Sequence, residues 1–293
     1  RVIDTLSQYS VLSLYSAMAI YAIAFVLFTI DLAGKATEGT FSGKFQRIAM
    51  ALTWLAFVLQ LAATVLRGVA ASRVPWANMY EFAMTGTLII TAVFLVANLK
   101  WNLRFVGTFS TGLTLVLLGL AATRYYVEIV PLPPALQSYW LVIHVFVATL
   151  ATGFFSLGFS LSLLQLLQQR REVAVHDGKK TRLTGLVKLP DAVALENYAY
   201  RLIIIGFIFW TFTLIAGAIW ADKAWGRYWG WDTKEVWTFI IWTIYAGYIH
   251  ARATRGWRGT RSAVLALVGF GAVMFNFTVV NIFFKGLHAY SGL

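Results

Sequence analysis

The chain has 293 residues, 59% of them hydrophobic and 12% charged. A soluble domain carries about twice that charged fraction. Here the apolar residues instead fall in uncharged runs of about 20 residues, the length that crosses a hydrocarbon core. The composition excludes a soluble fold and predicts an all-α integral membrane protein. The net charge of +12 would point to nucleic acid in a soluble chain. In a membrane chain, Lys and Arg collect in cytoplasmic loops and set orientation, so no nucleic acid is expected. With no cysteine, disulfides, thiolate metal sites and thiol catalysis are excluded. The sequence begins at Arg1 with neither Met nor a signal-peptide pattern, so the natural N-terminus is expected upstream.

Hydropathy predicts eight spans, at 11–30, 48–66, 79–97, 105–123, 138–167, 202–220, 236–251 and 263–284. The fifth would reach about 45 Å as a helix, so it is expected to tilt or project beyond the bilayer. Alternate loops at 31–47, 98–104, 168–201 and 252–262 carry 3, 2, 7 and 4 Lys or Arg, 16 of the 24 in the chain. The richer set belongs in the cytoplasm, which places both termini on the extracytoplasmic side. The basic loop at 168–201 is read as topogenic, with anionic lipid attracted to it. No internal repeat or second soluble domain is visible, so residues 1–293 are read as one polytopic membrane domain.

Between the sixth and seventh spans runs an outer loop, about 220–237, that holds Trp220, Trp225, Trp229, Trp231 and Trp237 within 18 residues. An interfacial aromatic belt accounts for one or two tryptophans at a helix end. It does not account for five interleaved with Gly226, Gly230, Asp222 and Asp232. Indoles present large flat apolar faces at low entropic cost, and glycines allow close backbone approach. A planar, largely apolar ligand is implied.

Four histidines complete the inventory. His144 falls near the outer end of the fifth span and His288 just after the eighth, so both flank the tryptophan loop on its side of the membrane. His250 lies near the inner end of the seventh span, about 21 Å of helix below Val236. Ionisable groups inside a bilayer are costly and usually functional. Two neutral imidazoles can hold haem iron axially while the tryptophans hold the porphyrin. A tetrahedral zinc site is the weaker alternative, because neither Cys nor a carboxylate cluster accompanies them. His176, in the basic loop, reads as a solvated side chain. Asp232 and Glu235 read as groups that shape the loop.

The segment Trp225-Gly-Arg-Tyr-Trp-Gly-Trp-Asp-Thr-Lys-Glu235 resembles the WWD signature of the haem-handling membrane proteins of cytochrome c maturation. Three further stretches resemble the CcsA, or ResC, branch of that family: Pro75-Trp-Ala-Asn-Met-Tyr-Glu81, Pro131-Leu-Pro-Pro-Ala-Leu-Gln-Ser-Tyr-Trp-Leu-Val-Ile-His144, and Gly286-Leu-His-Ala-Tyr290. Glu196-Asn-Tyr-Ala-Tyr-Arg201 and Tyr248-Ile-His-Ala-Arg252 fit as well. Thr233 departs from the pattern, standing where the family usually has Pro. The first two spans match by hydropathy alone.

The resemblance implies a System II cytochrome c synthase subunit in a bacterial plasma membrane or a thylakoid membrane, working with a ResB-type partner. It implies that haem b is transported as a substrate and presented to the Cys-x-x-Cys-His segment of apocytochrome c. His144 and His288 would then be the outer iron ligands, and His250 an intramembrane ligand shared with a partner histidine. Arg227 and Arg124 are the candidates for pairing with haem propionates. Three other classes compete: a quinone- or drug-binding transporter, for which the histidines would be incidental, a haem exporter that hands its cargo to a separate chaperone, and a b-type electron-transfer subunit. The latter expects His pairs at matching depth on facing helices.

Overall fold

The computed structural model describes residues 2–34, 42–181, 183–284 and 286–287. Among the described residues every regular element is helical, in eight long helices. These are α1 (Val2–Ala33), α2 (Ser42–Ala71), α3 (Met79–Lys100), α4 (Gly107–Arg124), α5 (Tyr139–His176), α6 (Ala192–Trp225), α7 (Thr233–Arg255) and α8 (Thr260–Phe283). All except α7 are long and apolar enough to cross a membrane. Helix α7 is less apolar because its 23 residues include Lys234, Glu235, His250, Arg252 and Arg255.

Several helices run past the predicted spans. Helix α5 has 38 residues, about 57 Å at 1.5 Å per residue, which exceeds the roughly 45 Å of a whole bilayer. Hydropathy marks only what hydrocarbon would cover, whereas backbone hydrogen bonding continues through polar residues such as Gln168 to Arg171. Much of the basic stretch 168–201 is therefore helical, formed by the end of α5 and the start of α6.

Side-chain caps fix where the helices begin. Asn78, Ser138, Asp191 and Asp232 each accept a backbone N–H from the first turn of α3, α5, α6 and α7 respectively, satisfying donors that a helix leaves orphaned. At Gly226 and Gly256, which close α6 and α7, φ is +69° and +59°, a conformation glycine adopts without strain.

Small residues let the helices approach closely, as is usual in membranes. In α1 the buried positions 10, 14, 17, 21, 24, 28 and 31 follow a heptad. It faces Ala49, Ala56, Ala63 and Ala70 of α2, which are themselves spaced by seven. Between α5 and α6, a Cβ on Gly158 would meet Ile203 at 2.5 Å, and one on Gly206 would meet Phe155 at 2.8 Å. Polar side chains add interhelical bonds. Tyr21 donates to Gln60 Oε1 (2.9 Å), and Gln60 Nε2 donates to the Met84 carbonyl (2.9 Å) and to Thr87 (2.8 Å).

The antiparallel chain course brings the connections into two groups, one containing the tryptophan loop and one at the opposite end. At the opposite end Glu196, near the start of α6, pairs with Arg252 near the end of α7 and accepts the Gly259 N–H (2.9 Å) before α8. Arg252 also donates to Asn197 Oδ1 (2.8 Å) and lies 4.3 Å over the Tyr200 ring. This buried junction ties three helices together. Replacing Glu196 with Ala strands the Arg252 charge, which typically costs about 3–5 kcal/mol. A large fall in the thermal midpoint of the detergent-solubilised protein is expected, and an unchanged midpoint would show that the junction is not structural.

Candidate ligand cavity at the tryptophan end

At the tryptophan end, helices α3, α5, α6, α7 and α8 converge on a partly open, mostly apolar cavity of about 140 Å³. Its wall includes Trp76, Phe82, His144, Trp210, Trp220 and Phe277.

His144 is held in one orientation. Its Nδ1 lies 3.0 Å from the Thr213 carbonyl oxygen on α6. A carbonyl can only accept, so Nδ1 carries a proton and donates it, the kind of bond that commonly orients a metal-ligating imidazole. The ring stacks on Trp220, with centroids 5.8 Å apart and planes 20° apart. Gly217 makes this fit possible, since a Cβ there would come within 2.8 Å of His144 Cε1. Trp220 is buried, and its Nε1 donates to the Ala135 carbonyl at 3.0 Å. That bond pins the 131–138 segment across the top of α6.

The five tryptophans of the loop divide among different surroundings. Trp225 meets Trp220 edge-on at 4.8 Å, next to the cluster of Leu136, Leu141 and Val145. Trp229 and Trp231 form a second perpendicular pair at 5.8 Å. Trp231 is 76% exposed and has φ of +57°, an uncommon backbone for a bulky residue. Trp237 packs inward against Phe275 at 4.4 Å. Of the five, Trp220 is the one that lines the cavity.

The loop is shaped by its two acids. Asp232 accepts the Lys234 N–H (2.7 Å), and Glu235 Oε2 accepts the N–H groups of Gly230 (2.7 Å) and Asp232 (3.1 Å). The Asp232 side chain also accepts the Glu235 N–H, which with the Asp232 N–H bond to Glu235 makes a capping box, so Thr233 begins α7 without the φ restraint that proline would impose. The second oxygen of Asp232 accepts the Leu287 N–H at 2.9 Å. This draws the chain after α8 against the tryptophan loop. Gly286 fits there for lack of a side chain, because a Cβ would fall 2.5 Å from Asp232 Oδ2.

Of the remaining predicted residues, those that the structure describes do not line the cavity. His288 lies outside the described residues. Arg227 is exposed, with its guanidinium over Gly230, and Arg124 is exposed as the last residue of α4. His250 is exposed on α7, about 24 Å of helix from Lys234. His176 is exposed and ends α5. Among the described residues, no three His, Asp or Glu side chains cluster to hold a metal ion.

Four polar residues of the cavity wall went unassigned in the sequence reading: Asn78, Lys234, Asn276 and Asn281. The last two project from α8 around a single turn of π-helix, Asn276–Val280, a distortion often found at functional sites. Lys234 stands inside the quoted WWD-like segment, where its charge went unused. Near the cavity, the Pro75–Glu81 motif builds a second ionic centre. Glu81 accepts from Arg67 Nε (3.0 Å), Arg73 Nη1 (2.6 Å) and the Ala77 N–H (3.0 Å).

The fold is that of a helical membrane protein, with seven helices able to cross a bilayer and an oriented imidazole in an aromatic-walled cavity. Residues 75–288 match the family model described as cytochrome C assembly protein, and the chain belongs to that family. It is 33% identical to the cytochrome c biogenesis protein CcsA of Trieres chinensis over 252 residues, covering 78% of this chain and 81% of that one. It is 35% identical over 263 residues to CcsA of Synechococcus elongatus, covering 76% and 81%. With CcsA of Prochlorococcus marinus it shares 30% identity across 92% of both chains. Among solved structures it resembles the cytochrome c haem lyase CcmF, with a TM-score of 0.68 at 20% identity. That likeness, which concerns the fold alone, covers 93% of this chain and 46% of CcmF, so the chain spans under half of that structure's length.

The capping box yields a direct test. In Glu235→Ala two backbone N–H groups lose their acceptor, an effect typically worth about 1–3 kcal/mol. Amide hydrogen exchange across residues 226–232 is expected to accelerate about tenfold or more, with the opposite end of the bundle unchanged. Unaltered protection in that loop would mean Glu235 does not hold it.

Proposed function

We propose that this chain is the haem-handling subunit of a cytochrome c synthase. It moves haem b across the membrane and presents it at the tryptophan end to apocytochrome c, together with a ResB-type partner. The observation that carries the reading is His144, with its proton on Nδ1 and its ring stacked on Trp220 in an apolar cavity. The residues present suit a porphyrin: one imidazole oriented through Nδ1, aromatic walls, and buried amide atoms left without partners at Asn78 Nδ2 and Asn276 Oδ1.

In this reading the tryptophan end is extracytoplasmic, both termini lie there, and α7 crosses the membrane as the eighth span. His288 follows directly after Leu287, whose N–H is held by Asp232, and serves as the opposing ligand. His250 faces outward from α7, where a partner histidine completes a second site deeper in the bilayer. Two histidine positions at different depths suit a relay better than a fixed electron-transfer pair. The substrate's cysteine thiols add across the haem vinyl groups, so the chain contributes position and orientation more than acid–base chemistry. The absence of cysteine in this chain is consistent with that division of labour.

The test is co-expression with the partner and an apocytochrome c reporter, with His144, His288 and His250 replaced singly by Ala. Each variant is expected to abolish or nearly abolish cytochrome maturation, and added imidazole should restore function to the His144 and His288 variants. Normal maturation with all three replaced would overturn the proposal. Orientation is tested separately, because a chain without cysteine accepts single reporters cleanly. Tyr228→Cys should react with an impermeant maleimide on intact cells, and Arg258→Cys only after permeabilisation. The reverse pattern would invert the topology.

A further inference from the structure

The cavity beside His144 contains one charged side chain, Lys234, in a wall otherwise dominated by aromatic and aliphatic groups. Burying an ammonium among apolar side chains is costly unless its charge and its three donors are matched. Among the described residues, Lys234 Nζ makes a single hydrogen bond, to Asn281 Oδ1. The nearby Asp232 carboxylate is already engaged by the N–H groups of Lys234 and Leu287. Two ammonium donors thus remain for something that enters the cavity.

A second and independent feature points to the same place. Asn78 is 6% exposed, and its Oδ1 accepts the Glu81 N–H at 3.0 Å as the cap of α3. Its Nδ2 is buried and has no protein acceptor, although the residue lines the cavity. Buried donors in folded proteins nearly always have a partner. Asn281 connects the two residues, since its Nδ2 lies 3.4 Å from the sulfur of Met79, adjacent to Asn78, while its Oδ1 holds Lys234. The amide of Asn281 is fixed in turn by the Phe277 carbonyl at 2.9 Å, within the π turn.

We infer that Lys234 and Asn78 form an anion subsite in this cavity, and that its occupant is a carboxylate of the ligand held by His144. The inference rests on the haem reading, under which the carboxylate is a propionate. Lys234 then replaces the exposed Arg227 and Arg124 as the propionate's cationic partner. Such a subsite fixes the rotation of the porphyrin in its own plane, which the imidazole alone leaves free. A planar ligand gripped at the iron and at one acidic edge presents its remaining edge in a single orientation.

The experiment compares haem with haem dimethyl ester, which keeps the iron and vinyl groups but has no ionised carboxylate. Each is titrated into the detergent-solubilised complex with its partner, followed by Soret absorbance. The unaltered protein should bind haem about tenfold or more tightly than the ester, the scale of a lost hydrogen bond to a charged group. Lys234→Met should bring haem affinity down to that of the ester while leaving ester affinity unchanged, and Lys234→Arg should retain most of the difference. Asn78→Asp keeps the helix cap but turns the orphan donor into a repelling oxygen, so it should weaken haem alone.

Equal affinity for both porphyrins in the unaltered protein, or equal weakening of both by Lys234→Met, would overturn the subsite and leave the haem cavity standing. Binding of neither porphyrin would overturn the haem reading itself. Loss of a co-purifying anionic phospholipid in Lys234→Met, with haem affinity unaffected, would assign the site to a lipid headgroup and overturn the propionate.

Discussion

Three buried carboxylates, each near the start of a helix, hold the ends of this bundle in place. Glu81 on α3, Glu196 on α6 and Glu235 on α7 are 0%, 5% and 9% exposed. In hydrocarbon or at its boundary an unpaired backbone group has no water to turn to, and the first turn of a helix has donors to spare. Each glutamate answers that need twice over. Glu81 and Glu235 accept local backbone N–H groups, Glu196 accepts that of Gly259, and Glu81 and Glu196 also reach an arginine on another helix. Glu81 ties the end of α2 to the start of α3, Glu196 ties α6 to α7 and to the approach to α8, and Glu235 folds the tryptophan loop onto α7.

These anchors explain why much of what looks like a binding motif is architectural. Glu196, Arg252 and Glu81 make no contact with the cavity; they fix the helix ends that shape it. The cavity itself is assembled from five helices, and its imidazole is oriented by a carbonyl on α6 and a missing side chain at Gly217. Position is thereby determined by rigid elements rather than by loop residues, which is how a site can hold a flat ligand in one orientation.

The helical class and the approximate span positions were legible from the uncharged runs, because hydrocarbon imposes a length on whatever crosses it. Span ends were not, since α5 and α6 continue as helix through polar residues that hydropathy scores as loop. His144 stood out in the sequence as an ionisable group within a span, and the structure places it in the cavity wall. Trp220 was legible as part of the cluster, though nothing in the spacing separated it from Trp231, which faces outward, or Trp237, which packs inward. Lys234, Asn78 and Asn281 were overlooked for a physical reason. A lysine next to an aspartate, or an asparagine before a helix, reads as a solvated or capping residue until three-dimensional packing shows it turned into a cavity. Arg227 drew attention for its charge, but that charge lies over Gly230, in the open.

The π turn in α8 carries a consequence for the whole end of the chain. An α-helix advances about 100° per residue, so accommodating one extra residue in a turn shifts the angular phase of everything beyond it by about that amount. Residues 260–275 and 281–283 therefore do not share one helical face, and a single hydrophobic stripe cannot be drawn through both. The first part is phased to pack against α5 and α7. The second is rotated so that Asn281 meets Lys234 and the chain emerges beside Asp232. A one-residue discontinuity in winding lets one helix lie along α5 and α7 and still turn its last residues toward the start of α7.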